Sequence, residues 1–384
     1  YEIVSRDWSS DVCSSDLVKY AYLPQHLREE ELVGGNGMVE MGTFVAILAG
    51  QILGAWLAIA PAGGTATALC VIAVAVLGYF ASRFIPHSPA ADPGLKVEWN
   101  IAAETWRNLK FAHGNRVVWL SLLGISWFWY YGATLLAQFP IYSKDVLGGD
   151  ESLFILLLAV FSLGIGAGSL LCERMSGGKV EIGLVPFGAI GLTLFGADLY
   201  FASASLGVVG GTVTYADALC SFAYLRVLAD LGLLGLFGGF YIVPMYALIQ
   251  TRSEKSHQSR VIAANNILNA AFMVASAGIA LAMFAAGLSI PELFLVTALF
   301  NAVVSLYIYG LVPEYLIRFI CWILVHSIYR LKAHGTDRIP REGAAVIVCN
   351  HVSFVDALVI MAACRRPIRF IMDHQIFRWP ILSF

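Results

Sequence analysis

Residues Leu231–Ile249 read LGLLGLFGGFYIVPMYALI, without a single charged side chain. A bilayer core is crossed by about 20 apolar residues in helical form, and this stretch has that length. Gly232, Gly235, Gly238, Gly239 and Pro244 lie inside it. In water such residues weaken a helix. Helices in lipid tolerate them, and small residues let neighbouring helices approach closely. The stretch therefore reads as a membrane span.

Seven more stretches share this character: Val39–Ala60, Thr65–Phe84, Val117–Ile141, Leu153–Leu171, Ile182–Leu206, Val261–Leu288 and Pro291–Val312. The whole chain agrees, being 59% hydrophobic and 13% charged with a mean hydropathy of +0.75. Soluble domains carry about 25% charged residues. The expected fold class is an all-α polytopic membrane bundle of eight helices. A formal net charge of −2 argues against a nucleic-acid partner. The seven cysteines are scattered with no CxxC spacing, so neither a zinc site nor a disulfide framework is expected, and no metal is assigned. Small-xxx-small pairs at Gly50/Gly54, Gly164/Gly168 and Gly235/Gly239 are expected at helix–helix contacts.

The loops alternate in charge. Lys19 and Arg28, then Lys96 to Arg116, Arg174 with Lys179, Arg252 to Arg260, and Arg318 to Lys332 fall on one side; the other side holds Lys144 and Arg226. The basic side is expected to be cytoplasmic. With an even number of spans, the segment before Val39 and everything after Val312 share that side. The loop Ile85–Arg116 divides the array into two spans and six, and EWNIAAETWRNLKFA (Glu98–Ala112) within it reads as a surface helix.

Polar residues in lipid are costly and mark candidate function. These are Glu40, Gln138, Asp198, Asp230, Gln250, Asn265, Asn266 and Asn269. Glu40, near the cytoplasmic end of its span, reads either as a gating group or as a loop-pairing carboxylate. Asp230 follows Arg226 by one turn and is expected to pair with it. Asn265 and Asn269 share a helix face, for packing or for lining a cavity. SWFWYYGA (Ser126–Ala133) sets aromatics at mid-span rather than in an interfacial belt; Trp127 and Trp129 could wall a site for an acyl chain or a choline-like headgroup, or simply pack.

Three blocks carry a resemblance. KYAYLPQHLREEELVGGNGMVEMGTFVAILAGQILGAWLA (Lys19–Ala58) is similar to the segment around the fifth helix of major facilitator transporters, and more narrowly to the lysophospholipid transporter family. GAGSLLCERMSGGKVEIGLVPFGA (Gly166–Ala189) resembles that superfamily's second cytoplasmic helix-connecting motif, and GLFGGFYIVPMYALIQTRSEKSHQSRVIAANNILNA (Gly235–Ala270) fits the same family. The resemblance implies lysophospholipid as cargo and a bacterial inner membrane as location. It also implies that four spans of a six-plus-six array precede this chain, so that 18–90 is the remnant of the first half, 91–116 the central loop and 117–313 the second half. The opening YEIVSRDWSSDVCSSDL (1–17) resembles translated adapter sequence and is set aside from the fold.

The tail changes character. PEYLIRFICWILVHSIYRLKAHG (Pro313–Gly335) is short for a ninth span, and 314–338 is expected to lie in the membrane interface, with Trp322 and Tyr329 at headgroup depth. From 339 to 384 an α/β domain begins: AAVIVC (Ala344–Cys349) reads as a buried strand, SFVDALVIMAAC (Ser353–Cys364) as a helix and PIRFIM (Pro367–Met372) as a second strand. His351 stands where the first strand ends and Asp356 in the first turn of the helix. The same spacing at His87/Asp92 lacks that context. Ser353-x-x-Asp356 is also a capping-box pattern.

With Asn350, the segment resembles the NHxxxxD motif of glycerolipid acyltransferases. The resemblance implies His351 as general base, Asp356 as its partner, Asn350 beside the substrate, and an acyl carrier protein or coenzyme A thioester as donor, with no bound cofactor. Arg365, Arg366 and Arg369 read as surface charge or a phosphate contact. That family's later motifs do not occur before Phe384, so this polypeptide alone is expected to lack acyltransferase activity. The readings left open are a transporter joined to an acyltransferase, a transporter of another substrate with a vestigial tail, and an acyltransferase merely tethered by helices.

Overall fold

The computed structural model describes residues 12–58, 63–86, 100–176, 183–206, 212–254, 257–311, 313–335, 338–340, 344–350, 352–353, 355–364 and 368–371. Thirteen α-helices occur among them. They form two compact units, residues 1–305 and 306–384.

The first unit holds α1 (Val12–His26), α2 (Leu32–Ala58), α3 (Gly63–Ser82), α4 (Ile101–His113), α5 (Arg116–Ile141), α6 (Glu151–Ser176), α7 (Leu184–Ala204), α8 (Tyr215–Cys220), α9 (Phe222–Arg252), α10 (Gln258–Ala285) and most of α11 (Ile290–Leu311). All eight expected spans are helices. Seven of them are long and apolar enough to cross a membrane; α11 offers a shorter apolar stretch, Ile290–Leu306. The polytopic helical class expected from the sequence is thus borne out. Helix α1 begins inside the segment set aside as adapter-like. Helix α4 is the expected surface helix, and it packs on α10.

Helix α9 is the centre of the bundle, packed on α6, α7, α5 and α2. Its contact with α6 is a glycine seam. A Cβ on Gly168 would come within 2.0 Å of the Leu236 carbonyl oxygen, and one on Gly235 within 2.3 Å of the Phe161 carbonyl oxygen. Two of the three small-residue pairs are therefore close-approach positions, as small residues allow in lipid. Gly50 and Gly54 are not: nothing lies within 4 Å of either position. Spacing alone cannot say which face of α2 meets a neighbour.

Local sequence sets the ends. Asn115 caps α5, its side chain accepting from Val117 N–H (3.1 Å) and Val118 N–H (3.3 Å), which satisfies two of the first-turn donors. Asp150 does the same for α6, accepting from Ser152 N–H (2.9 Å), the Ser152 hydroxyl (2.5 Å) and Leu153 N–H (3.1 Å). These bonds hold its carboxyl below the ordinary Asp range, the Ser152 hydroxyl contributing most. After Pro140, α5 widens into a π turn over Tyr142–Val146.

The second unit holds the end of α11, α12 (Pro313–Ile328) and α13 (Val355–Ala363), and α12 packs on α13. Cys321 and Val325 are buried, whereas Ile317, Ile320, Leu324 and Ile328 form an exposed apolar stripe. The side chain of Trp322 lies outside the described residues. The helix expected over Ser353–Cys364 is present as α13. The two expected strands are not: among the described residues 344–350 and 368–371 no strand is assigned, and Val346 and Val348 are exposed. A strand is defined by its ladder, and the described residues supply no partner.

Candidate functional site

One group of buried polar side chains lies where α1 and α2 meet α9. Asn36 and Gln250 exchange side-chain hydrogen bonds, Asn36 Nδ2 donating to Gln250 Oε1 (2.6 Å) and Gln250 Nε2 to Asn36 Oδ1 (3.0 Å). Each amide also reaches backbone: Asn36 to the Leu32 carbonyl (2.8 Å), Gln250 to the Tyr20 carbonyl (3.1 Å). Gln258 on α10 donates to the Gln250 carbonyl at 2.9 Å. Against this clasp the Tyr20 ring stacks on Tyr246, with centroids 4.0 Å apart and planes 4° from parallel. The Tyr20 hydroxyl donates to Glu40, and Trp129 Nε1 donates to the Tyr246 hydroxyl at 3.3 Å. One network thus ties α1 and α2 to α5, α9 and α10.

Glu40 is 1% exposed. The sequence set it near a helix end. In the structure α2 starts seven residues earlier than expected, at Leu32, so Glu40 sits about two turns inside. Neutral buried hydrogen bonds contribute about 1 kcal/mol net, yet removing one partner costs about 1–3 kcal/mol through the group left behind. The clasp is therefore cheap to exchange as a unit and costly to break halfway.

The aromatic run divides. Trp129 joins the Glu40 network. Trp127 Nε1 instead donates to Asn301 Oδ1 (2.9 Å), and Asn301 Nδ2 reaches the Ala189 carbonyl and the Thr193 hydroxyl, each at 2.9 Å. Residues two apart on a helix do not share a face, so the two tryptophans serve different contacts. Ser126 donates to Asn269 Oδ1 at 2.9 Å, joining α5 to α10. Asn265 is buried one turn earlier, and its Nδ2 donates to Asn266 Oδ1 at 3.4 Å. Tyr20, Asn36 and Tyr246 were not singled out from the sequence. Asn36 alone carried a signal there, a polar residue in the glycine-rich start of an apolar helix.

The expected pairing of Arg226 with Asp230 is corrected. Arg226 forks across to Asp198 of α7, Nε to Oδ2 at 3.1 Å and Nη2 to Oδ1 at 2.5 Å. The planar guanidinium matches a carboxylate with two parallel bonds, a geometry that the neighbouring helix provides here. Asp230 remains buried beside this pair.

In the tail, Asp356 opens α13. Its Oδ2 accepts from Val352 N–H (2.6 Å) and Ser353 N–H (2.8 Å). The Ser353 hydroxyl accepts from Val355 N–H at 3.3 Å rather than from Asp356, so the carboxylate does the capping. His351 lies outside the described residues, as do Arg365 and Arg366. Asn350 is exposed.

Residues 330–384 match the Acyltransferase family. Over 249 residues the chain is 31% identical to the lysophospholipid transporters LplT of Yersinia pestis (strain Pestoides F) and of Yersinia pseudotuberculosis serotype O:3, covering 62% of this chain and 54% of each relative. The chain is thus similar to lysophospholipid transporters over 62% of its length and to acyltransferases over residues 330–384. It spans about half the length of the curated relatives it matches. No solved structure matches it. The clasp and Glu40 lie in the first unit, and Asp356 lies within the residues that match the Acyltransferase family.

Proposed function

We propose that the protein moves lysophospholipids across the bacterial inner membrane to the cytoplasmic leaflet, and that its C-terminal domain re-acylates them there. The observation that carries this reading is the presence, in one chain, of lysophospholipid-transporter homology followed by an acyltransferase match. The distribution of Lys and Arg supports it, because the clasp, the loop after α9 and the tail all fall on the basic, cytoplasmic side.

In this reading the Asn36–Gln250 exchange and the Tyr20–Tyr246 stack close the cytoplasmic end of the path. Passage requires α1 and α2 to part from α9, and the reciprocal amides let both partners separate together. Glu40 and Trp129 would meet the headgroup as the Tyr20 hydroxyl leaves, with the indole face available to an ammonium. Asn265 and Asn269 would offer hydrogen bonds along α10. Helix α12 lies at the interface with its Ile317, Ile320, Leu324 and Ile328 stripe in lipid, and its Cys321 and Val325 face supports the acyltransferase helix α13.

At the second site His351 acts as general base. The free hydroxyl of the lysophospholipid attacks the thioester carbonyl of an acyl carrier protein or coenzyme A donor. A carbon–oxygen bond forms and the carbon–sulfur bond breaks. The hydroxyl proton passes to the imidazole and from it to the departing thiolate. Asp356 fixes the imidazole orientation and stabilises the imidazolium. Asn350 and the Arg369 region would contact the acceptor phosphate.

The test uses the full-length protein in proteoliposomes with fluorescent lysophosphatidylethanolamine. Transport is read as loss of accessibility to an outside quencher, and acylation as diacyl product. His351→Ala is expected to abolish product and leave transport intact. Product without transport would reduce the helices to a tether, and transport of other solutes alone would remove lysolipid as cargo.

A further inference from the structure

Helix α4 lies in the loop between α3 and α5 and packs on α10. Ala112 marks its inward face, being buried. One turn before it, the Asn108 Oδ1 is shielded from solvent on that face. Near the end of α4 the Phe111 ring stacks on His257, with centroids 4.5 Å apart and planes 25° from parallel. Just beyond α4, Asn115 Nδ2 reaches the Arg252 carbonyl at 3.4 Å. Arg252 ends α9 and His257 caps the start of α10. Phe111 and Asn115 therefore touch the turn between α9 and α10 at both of its ends.

That turn leads straight to the clasp. The His257 N–H donates to the Glu254 carbonyl at 2.9 Å, and its Nδ1 lies 3.3 Å from the Glu254 carboxylate. The next residue, Gln258, donates its side-chain amide to the Gln250 carbonyl at 2.9 Å. Gln250 is the α9 half of the clasp with Asn36. A shift of His257 is thus passed to Gln250 through one hydrogen bond. The seat of α4 is itself a balance. The ring stack and the buried Ala112 favour it. Asn108 opposes it, because its Oδ1 has no hydrogen-bond partner among the described residues, and a buried acceptor left unmade is unfavourable. Lifting α4 would give that oxygen to water.

We infer that α4 is a releasable brace on the clasp. Seated, it fixes the turn between α9 and α10 and holds Gln250 against Asn36. Lifted, it lets Gln250 leave. That the clasp is a closure rests on the transport reading above; the coupling of α4 to Gln250 does not.

The experiment reads opening beside the clasp. Full-length protein freed of its own cysteines carries Ala247→Cys, a fully buried position three residues before Gln250, and its rate of reaction with N-ethylmaleimide is measured. Phe111→Ala is expected to raise that rate about fivefold, equivalent to about 1 kcal/mol. Asn108→Leu removes the unpartnered acceptor and is expected to lower it by a similar factor. His257→Ala should repeat the rise and add nothing to Phe111→Ala, because the two rings form one contact. A second protein with Ala202→Cys, buried near the far end of α7, reports general loosening. If labelling at position 247 does not change, if Phe111→Ala and Asn108→Leu move it in the same direction, or if position 202 follows in parallel, α4 has no hold on the clasp and the inference fails. Lysophospholipid movement in proteoliposomes separates the two readings. Labelling and movement that rise together support brace and closure; labelling that rises with movement unchanged keeps the brace and removes the closure. Should Phe111→Ala not elute as a monodisperse particle, His257→Ala carries the same comparison, with the same expected and contrary results.

Discussion

Helices α3 and α9 are both apolar, Gly-containing spans, and hydropathy does not separate them. Their surroundings do. Helix α3 buries none of its residues, and no atom lies within 4 Å of a Cβ placed on Gly64 or Gly78. Helix α9 is buried without a break from Gly238 to Gln250. The difference lies in what each presents. Helix α9 offers glycines that meet α6 backbone, aromatic rings on α5 and α7, and a terminal amide that answers Asn36. Helix α3 offers an even apolar surface, and its Thr67 and Ser82 hydroxyls donate to its own backbone, at the Gly63 and Tyr79 carbonyls. In lipid, apolar surface gives no drive to associate; packing complementarity and polar pairing do.

The sharpest break in this comparison comes from adding bulk. Gly168→Leu or Gly235→Leu must push backbone apart, because the nearest atoms are carbonyl oxygens at 2.0 and 2.3 Å. Overpacking of this kind costs about 1–3 kcal/mol or more, and these variants are expected to lose monodisperse protein on detergent extraction. Gly50→Leu, on the open face of α2, is expected to match wild type within about 0.5 kcal/mol. Equal damage at all three positions would mean that the seam is no seam.

The clasp comes next. Gln250→Leu leaves the Asn36 amide and the Tyr20 carbonyl without their partner, and a loss of about 1–3 kcal/mol is expected. The double change with Asn36→Leu should recover part of it, because both polar groups then go together. Thermal unfolding of the two single variants and the double variant measures this coupling, expected at about 0.5–3 kcal/mol. Strict additivity would show that the two amides act separately.

The smallest effect belongs to the Asp150 cap. Its carboxyl is held below the ordinary Asp value, chiefly by the Ser152 hydroxyl. A depressed carboxyl contributes stability that is fully present above its unfolded value, about 3.9, and is lost as pH falls through the folded value. Asp150→Ala is expected to cost about 1 kcal/mol at neutral pH, the usual worth of such a cap, and the gap to wild type should close below about pH 4. A gap unchanged at pH 3 would contradict the capping role.

The spans and the helix at Ser353–Cys364 were legible in the sequence because apolar length and period carry through the chain locally. Partners were not. Arg226 has an acid one turn away on its own helix and another on α7, and only the fold says that the second is reached by both arms of the guanidinium. Gly50/Gly54 and Gly164/Gly168 have the same spacing, and only the neighbour distinguishes them. Trp127 and Trp129 read as one wall until helix geometry sends them to different neighbours. Ala344–Cys349 has the composition of a strand, but the ladder that would make it one needs residues beyond the segment itself.

The proposed transport function makes the contact of α2 with the buried face of α9 a closure that must open for passage. The direct measurement places Asn36→Cys and Gln250→Cys in a full-length protein without other cysteines and joins them with a short, cleavable thiol crosslinker. Lysophospholipid movement in proteoliposomes is then followed before linking, after linking and after cleavage. Movement should stop on linking and return on cleavage. Undiminished movement through the linked protein would show that α2 and α9 need not part, and the clasp would be no gate.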